Sequence, residues 1–206
     1  MPSITNNPLK TSRVLKPAFA ILVPLYLLII FGLPLAICGL LTGASSRLSW
    51  QIVSLVVAPI VYMSAFVIIA GLLSMFHRNA IVPGRFPRSV DNTTYFHRRL
   101  HGLCWTCVYF FTPVYSMALS LPFLKMIVFR LFGYTGSMSF VTYADTWIRD
   151  LPLLNIQKGS YLSNKATIGT NIALPDGTIL VDYVTIGKSS LVGHLSMLGP
   201  GGGTRE

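Results

Sequence analysis

Two long uncharged stretches dominate the hydrophobic pattern of the N-terminal half of the chain. They cover positions 17–41 and 50–76, and neither contains a charged side chain. About 20 apolar residues are enough for an α-helix to cross the hydrocarbon core of a bilayer, so each stretch predicts a spanning helix. We therefore predict a two-span transmembrane hairpin over positions 17–76, preceded by an N-terminal tail over 1–16.

A third apolar segment, at positions 102–124, could form either a third membrane span or a helix pair that stays on one side of the membrane. It is also long enough to span. If this segment crossed the membrane, the many cations that follow it would lie on the opposite side from those that precede it. Such a distribution would contradict the positive-inside rule. Pro113 and Pro122 also interrupt the segment. We therefore prefer a re-entrant or interfacial helix pair over positions 102–133 to a third span.

Further along the chain, the apolar positions follow a period of six. An α-helix repeats every 3.6 residues and a strand every 2, so neither keeps this period. Hexapeptide repeats are typical of parallel β-helices, in which each hexad forms a short strand and a turn. Eight hexads at three per coil predict a short β-helix of about 2.7 coils over positions 151–200. The eight aliphatic positions are Ile156, Leu162, Ile168, Leu174, Leu180, Ile186, Val192 and Leu198.

Two features frame this repeat region. Glycine recurs directly after the aliphatic position, and we expect it there because corners need unusual backbone angles. Arg149 and Asp150, at the end of a connector over positions 134–150, are expected to cap the repeats or join them to the membrane segment. Positions 201–206 form a tail. The recurring glycines are Gly169, Gly187, Gly193 and Gly199.

The charge distribution adds an orientation to this pattern. Only 11% of the 206 residues are charged, against about 25% in a typical soluble domain. Cations flank the hairpin on both outer sides, whereas its connecting loop holds only Arg47. The positive-inside rule therefore places both ends, and the repeat region, on the cytosolic side of the cell (inner) membrane.

The net charge of +10 is concentrated beside the apolar segments. Contact with anionic lipid heads explains it better than nucleic-acid binding does. Guidance of an anionic donor molecule is a second interpretation of the same side chains. They include the arginines of a basic juxtamembrane segment over positions 77–101, namely Arg78, Arg85, Arg88, Arg98 and Arg99.

Other residues capable of chemistry have plainer interpretations. Cys104 and Cys107 have the spacing of a redox pair, but their aromatic and apolar neighbours predict small buried side chains instead. We expect neither a metal site nor a tightly bound cofactor. The histidines that lie among the arginines near the membrane, His77, His97 and His101, are expected to be interfacial residues.

Several motifs carry a resemblance to a known family, from about position 81 to position 200. Hexads such as 166–169 (ATIG) and 184–187 (VTIG) resemble those of left-handed β-helix acyltransferases. The segments at 82–87, 129–133, 145–152 and 192–195 resemble a membrane-bound branch related to the terminal domain of polylysine-synthetase-like peptide synthetases. The resemblance implies that the repeats form an all-β, left-handed parallel β-helix. Together with the spans predicted above, the expected fold is a membrane α-helical hairpin followed by this short β-helix.

The same resemblance implies an activity. It is the transfer of an acyl or aminoacyl group from a coenzyme A or carrier-protein thioester to an amine or hydroxyl. Related enzymes have more coils and often form homotrimers, so we expect a homotrimer and a C-terminal truncation beyond Glu206. The alternative is a non-catalytic membrane-anchored scaffold or an inactive fragment. The sequence specifies neither the acyl group nor the acceptor.

A histidine acting as general base is the chemistry that such a transfer needs. His194 is the histidine of the repeat region and follows a turn glycine. In a regular coil of three hexads, Asp176 would stack next to it and orient the imidazole, and Asp182 is a second candidate partner. The alternative for His194 is an exposed turn residue with no catalytic role.

Overall fold

The two uncharged stretches form the two longest helices of the chain. The computed structural model describes positions 14–44 and 46–204, so the predicted tails at 1–16 and 201–206 lie partly outside the described residues. Helix α1 (Leu15–Gly43) and helix α2 (Leu48–Met75) both have a mean hydropathy of 2.6. Each is long and apolar enough to cross a membrane.

Hydrogen bonds show that α1 and α2 run antiparallel. The Cys38 thiol donates to the carbonyl of Ala58 (3.4 Å) near the loop, and the Tyr26 hydroxyl contacts His77, just beyond α2, at the other end. The two outer ends of this hairpin therefore lie together, as a two-span anchor requires.

Beyond the hairpin, a short strand and three helices cover the segment whose course was open. Strand β1 (Gly84–Pro87) precedes helix α3 (Thr93–Phe110), which begins where the Asn92 side chain accepts a hydrogen bond from the Tyr95 amide (2.9 Å). Helices α4 (Thr112–Ser120) and α5 (Pro122–Leu131) follow. The chain bends by 85° between α3 and α4.

These three helices rest on one short stretch of the chain. Trp105 of α3 donates to the Ile148 carbonyl (2.7 Å), and Tyr115 of α4 donates to the Thr146 carbonyl (2.6 Å). Lys125 of α5 donates to the Phe140 carbonyl (2.5 Å). A segment that crossed a bilayer core would carry its ends about 30 Å apart. The contacts therefore favour the re-entrant or interfacial arrangement over a third span.

Nine short strands of the C-terminal region form three parallel three-stranded sheets, none of them closed. The chain passes through the three sheets in the same cyclic order three times, and it begins at Val141, ahead of the predicted start at 151. The first pass consists of β2 (Val141–Thr142), β3 (Trp147–Ile148) and β4 (Leu154–Ile156). The second consists of β5 (Tyr161–Leu162), β6 (Thr167–Ile168) and β9 (Val184–Ile186). The third consists of β10 (Leu191–Val192), β11 (Met197–Leu198) and β12 (Gly203–Thr204).

An antiparallel hairpin interrupts the second pass. Strands β7 (Asn171–Ala173) and β8 (Thr178–Val181) lie between β6 and β9, and β8 pairs with β1. Leu162 consequently pairs with Val192, and not with Leu180, which a regular coil of three hexads would place beside it. The prediction of an uninterrupted series of hexads is therefore wrong at the hairpin.

The aliphatic residues spaced six apart differ in burial because of this hairpin. Leu174 and Leu180 belong to the hairpin and its turn, and they are only half-buried. Flanking members of the column are inaccessible to solvent and join the main hydrophobic cluster with residues of the helices. These buried members are Ile156, Leu162, Ile168 and Ile186.

The corners of the strand-rich region do not fall on the recurring glycines. Left-handed backbone angles occur three positions after the inward aliphatic residue, not one. Lys165, Ser189 and Leu195 adopt φ values of 56°, 55° and 58° there, and glycine supplies positive φ at Gly159 and Gly201. The prediction that the glycine directly after each aliphatic residue makes the corner is wrong.

Candidate functional site

His194 lies on an outer corner between β10 and β11. The pairing of Val192 with Leu162 aligns it with Asn164, and its Nδ1 lies 2.9 Å from the Asn164 carbonyl oxygen. Because a carbonyl oxygen only accepts, Nδ1 donates, and Nε2 of the neutral ring is left as an acceptor. The exposed His194 thus presents the tautomer that a general base needs.

The predicted partner of His194 lies elsewhere. Asp176 occupies the turn of the β7–β8 hairpin and forms an ion pair with Arg85 of β1. Hydrogen bonds from Thr178, together with Arg85, lower the pKa of the Asp176 carboxyl to about 2. The expected stacking of Asp176 on His194 is therefore wrong, because the hairpin takes Asp176 out of the coil. The second candidate, Asp182, accepts from the Tyr183 amide (2.8 Å).

A buried ion pair joins the strand-rich region to α3. Asp150, which follows β3, accepts hydrogen bonds at Oδ2 from Arg98, from Thr170 Oγ1 (2.6 Å) and from Asn171 Nδ2 (2.8 Å). Burial alone would raise the pKa of the Asp150 carboxyl, but the Arg98 charge and the Thr170 hydrogen bond hold it below its ordinary value. Of the two roles expected for Asp150, this ion pair fits the second, a link between the strand-rich region and the preceding helices.

Four arginines line a cavity of about 190 Å³ beside this ion pair. Arg98 is 5% exposed, and its Nη1 has no hydrogen-bond partner among the described residues. Within positions 14–44 and 46–204, none of the other three forms an ion pair with a carboxylate. Such a cavity attracts an anion. The other three arginines are Arg88, Arg99 and Arg149.

An apolar cavity of about 380 Å³ adjoins the arginine cavity. Arg99 and Arg149 line both, so the two cavities form one cleft with a charged end and an apolar end. Phe19 and Val23 of α1 form part of the apolar wall, and α3 forms much of the rest. We name the two cavities together the junction cleft.

A third cavity, of about 440 Å³, lies between the apolar cavity and the turn that carries Asn164. Tyr109 and Phe110 line both the apolar cavity and this third one. Asn164, which holds His194 Nδ1, lies on its far wall together with Asp145. The three cavities are therefore neighbours that share lining residues, and the third reaches the residue that orients His194.

The sequence predicted a role for the juxtamembrane arginines, but it did not predict the cleft that some of them line. Arg99 and Arg149 lie far apart along the chain, and no local periodicity relates them. The one available signal was Asp150, an acidic residue in a basic chain, because a buried carboxylate needs a cationic partner such as Arg98.

His77 and His101 are buried inside the protein, so the prediction of interfacial residues is wrong for these two, whereas His97 is half-buried. His77 Nε2 lies 2.8 Å from the hydroxyl of Tyr26, and its Nδ1 lies 2.8 Å from Nδ1 of the half-buried His97. His101 is 1% exposed. Burial is the main cause that lowers the pKa of both His77 and His101 to about 4, and it also lowers the pKa of His97.

This burial predicts acid sensitivity of the fold. His101 is protonated below about pH 6.5 in the unfolded chain but stays neutral in the folded protein down to about pH 4. The unfolded state therefore binds more protons between these values, and stability falls as the pH falls from 6.5 towards 4. We expect a loss on the order of 1 kcal/mol per pH unit for each histidine whose pKa is lowered in this way. Unfolding temperatures of the micelle-solubilised protein at pH 6.5 and 5.5 measure it.

Two variants give this pH prediction its controls. His101→Leu removes one of the two histidines whose pKa is lowered to about 4 and should reduce the pH dependence without abolishing it, because His77 still titrates. His194→Leu, at an exposed corner, is the surface control. Equal pH dependence in wild type and His101→Leu would contradict the assignment.

The cysteines of α3 are not arranged for redox chemistry. Cys104 and Cys107 are buried free thiols, and burial raises the pKa of Cys104 to about 12. A thiol with so high a pKa is not a thiolate at neutral pH and reacts poorly. In the part of the chain that the structure describes, no cluster of three or more His, Cys, Asp or Glu could hold a metal ion.

Comparison with known proteins finds no relative of this chain. No family model matches the chain, and neither does any curated protein or any solved structure. The class that the structure defines is a protein with two apolar helices able to cross a membrane and a C-terminal region of parallel sheets. Its activity has to be inferred from the His194 corner and the junction cleft.

Proposed function

We propose that this chain is a membrane-anchored, left-handed β-helix acyltransferase. It transfers an acyl group from a coenzyme A or carrier-protein thioester to an amine or hydroxyl at the cytosolic face of the membrane. The observation that carries the proposal is the junction cleft, in which Arg99 and Arg149 stand between an apolar and a cationic cavity. An acyl thioester on a phosphorylated carrier has the matching combination of an apolar chain and anionic groups.

The strand order supports the β-helix part of the proposal. A three-sided β-helix contributes one strand per coil to each of three parallel sheets, and the cyclic order of β2 to β12, apart from the hairpin, has this form. Inward aliphatic residues fill its axis, as Ile148, Leu162 and Ile186 do here. The left hand of the coil comes from the resemblance of the hexads.

The chemistry proposed for His194 follows from its tautomer. Nε2 takes the proton from the acceptor's amine or hydroxyl as that atom attacks the thioester carbonyl. The new C–N or C–O bond forms, the C–S bond breaks, and the departing thiolate takes up a proton. The Asn164 carbonyl holds Nδ1 in place of the carboxylate that the sequence predicted.

One observation favours a second candidate, a non-catalytic scaffold. Among the described residues, neither Asp176 nor Asp182 forms a hydrogen bond with His194. A histidine without a carboxylate partner is a weaker base, because nothing stabilises the positive charge that develops on it.

Transfer from radiolabelled palmitoyl-CoA tests the two candidates. The protein is placed in vesicles whose lipids include phosphatidylethanolamine and diacylglycerol, which offer an amine and a hydroxyl. We expect label in the lipid extract and a fall of about 10²–10⁴-fold in His194→Ala, because a general base contributes that much. Lys188→Ala, at an exposed cation that lines none of the three cavities, is the matched control and should retain wild-type transfer.

The outcomes separate the two candidates. Wild-type transfer that survives His194→Ala would refute the base assignment. Absence of transfer by the wild-type protein to either acceptor would favour the scaffold.

A further inference from the structure

Unbalanced positive charge is the distinctive property of the arginine cavity. Arg98 is neutralised by Asp150, but Arg88, Arg99 and Arg149 line the same space without a carboxylate within ion-pairing distance in the described residues. Arg88 and Arg99 are exposed and Arg149 is half-buried, and guanidinium groups around one small cavity repel each other. An anion bound between them would remove this repulsion.

The size and donors of the cavity select the kind of anion. At about 190 Å³ it is small, since pockets for drug-sized ligands measure roughly 300–1,000 Å³. It therefore suits one small charged group. Guanidinium groups bind phosphate through two parallel hydrogen bonds, and a phosphate monoester carries a charge of about −1.5 to −2 at pH 7. The buried Nη1 of Arg98 offers a further donor that no described protein group uses.

The neighbouring apolar cavity indicates what the phosphate is attached to. It shares Arg99 and Arg149 with the arginine cavity, so an apolar chain attached to the bound phosphate would extend into it. Its wall includes Phe19 and Val23, which belong to a helix that is long and apolar enough to span the membrane. A ligand could therefore enter sideways from the bilayer.

We propose that the junction cleft binds a membrane lipid that carries a phosphate monoester. Its phosphate lies among the four arginines of the cavity, and part of one acyl chain lies in the apolar cavity. Such a lipid and an acyl-thioester donor would occupy the same cleft and compete for it. The proposal therefore goes beyond acyl transfer and does not depend on it, since a non-catalytic scaffold could bind the lipid in the same cleft. Non-specific attraction between cations and anionic membranes would not distinguish these arginines from other exposed cations.

Lipid binding can be followed through tryptophan fluorescence, because Trp105 and Trp147 line the apolar cavity. The full-length protein in neutral detergent micelles is titrated with dioleoyl phosphatidic acid, with dioleoylglycerol, which lacks the phosphate, and with inorganic phosphate. We expect saturable binding of phosphatidic acid, at least about tenfold tighter than that of dioleoylglycerol or inorganic phosphate, because charged hydrogen bonds are strong.

Arginine variants locate the site. Arg149→Gln and Arg88→Gln should each weaken phosphatidic acid binding about tenfold or more while leaving the unfolding temperature near that of wild type. Lys188→Gln removes an exposed cation outside the cleft and should bind as wild type does.

Three results would overturn the proposal. Equal binding of phosphatidic acid and dioleoylglycerol would exclude phosphate recognition, and equal loss in Lys188→Gln would show a non-specific charge effect. Inorganic phosphate that binds as tightly as phosphatidic acid would exclude a lipid as the preferred source. These results concern equilibrium binding, so a failure here is distinguishable from a failure to transfer an acyl group.

Discussion

Asp150→Asn is expected to lower the free energy of unfolding by about 3–5 kcal/mol, because it leaves the buried Arg98 without its counter-charge. Asparagine keeps the size of the side chain and tolerates the left-handed backbone at this position, where φ is 54°. The loss is therefore one of charge, not of shape. For a chain of this size it corresponds to a fall of roughly 6–20 °C in unfolding temperature, measurable by circular dichroism in micelles.

An exposed ion pair in the same region supplies the matched control. Asp176→Asn removes the carboxylate that pairs with Arg85, and both side chains are about half exposed. Exposed ion pairs contribute little to stability, because water screens them, so this variant should unfold close to the wild type. Equal shifts in the two variants would contradict a special role for Asp150.

A double variant separates the missing charge from a general loss of packing. Replacing both members, as in Arg98→Met with Asp150→Asn, removes the uncompensated cation as well. We expect this protein to be more stable than Asp150→Asn alone, since a buried pair can often be replaced by apolar groups at little cost. A double variant that is less stable than either single variant would indicate that the two side chains act independently.

The position of this ion pair connects stability with the candidate site. Arg99 directly follows Arg98, and Arg149 directly precedes Asp150. The pair therefore fixes the distance between Arg99 and Arg149, the two arginines that line both parts of the junction cleft. Loss of the pair is therefore expected to disturb the cleft, which Arg98 and Asp150 also line.

The membrane hairpin could be predicted from the sequence because its signal is local. Positions 17–41 and 50–76 are uncharged over lengths that only a bilayer or a large core can accommodate. The observed helices, Leu15–Gly43 and Leu48–Met75, begin and end close to these limits. The interruption of the third segment at Pro113 and Pro122 was equally visible, since proline favours the first turn of a new helix.

The hairpin within the repeats was hidden by a coincidence of spacing. Leu174 and Leu180 keep the six-residue period although neither lies in the parallel sheets. The turn signal Pro175-Asp176-Gly177 was present and is typical of a tight turn, with Gly177 at a φ of 78°. Because that turn was assigned to a regular corner, the predicted partner of His194 was wrong.

The junction cleft was beyond the reach of sequence patterns for a different reason. It is built where α1, α3, the end of β3 and the β7–β8 hairpin meet, and these elements are far apart along the chain. Arginine beside an apolar helix predicts lipid contact in general. Only the packing of α3 on the strands shows that four arginines share one cavity.

Leu162→Ala and Leu174→Ala form a matched pair, because both residues occupy the same six-residue column but only Leu162 lies in the parallel sheets. Leu162 is completely buried, and its truncation leaves a cavity in the core, which should cost about 2–5 kcal/mol. Leu174 is half-buried in the hairpin, so we expect about 1 kcal/mol or less. Unfolding temperatures in micelles measure both. Similar losses would mean that the column continues through the hairpin as an uninterrupted coil; a large loss at Leu162 alone would show that the hairpin stands outside the core.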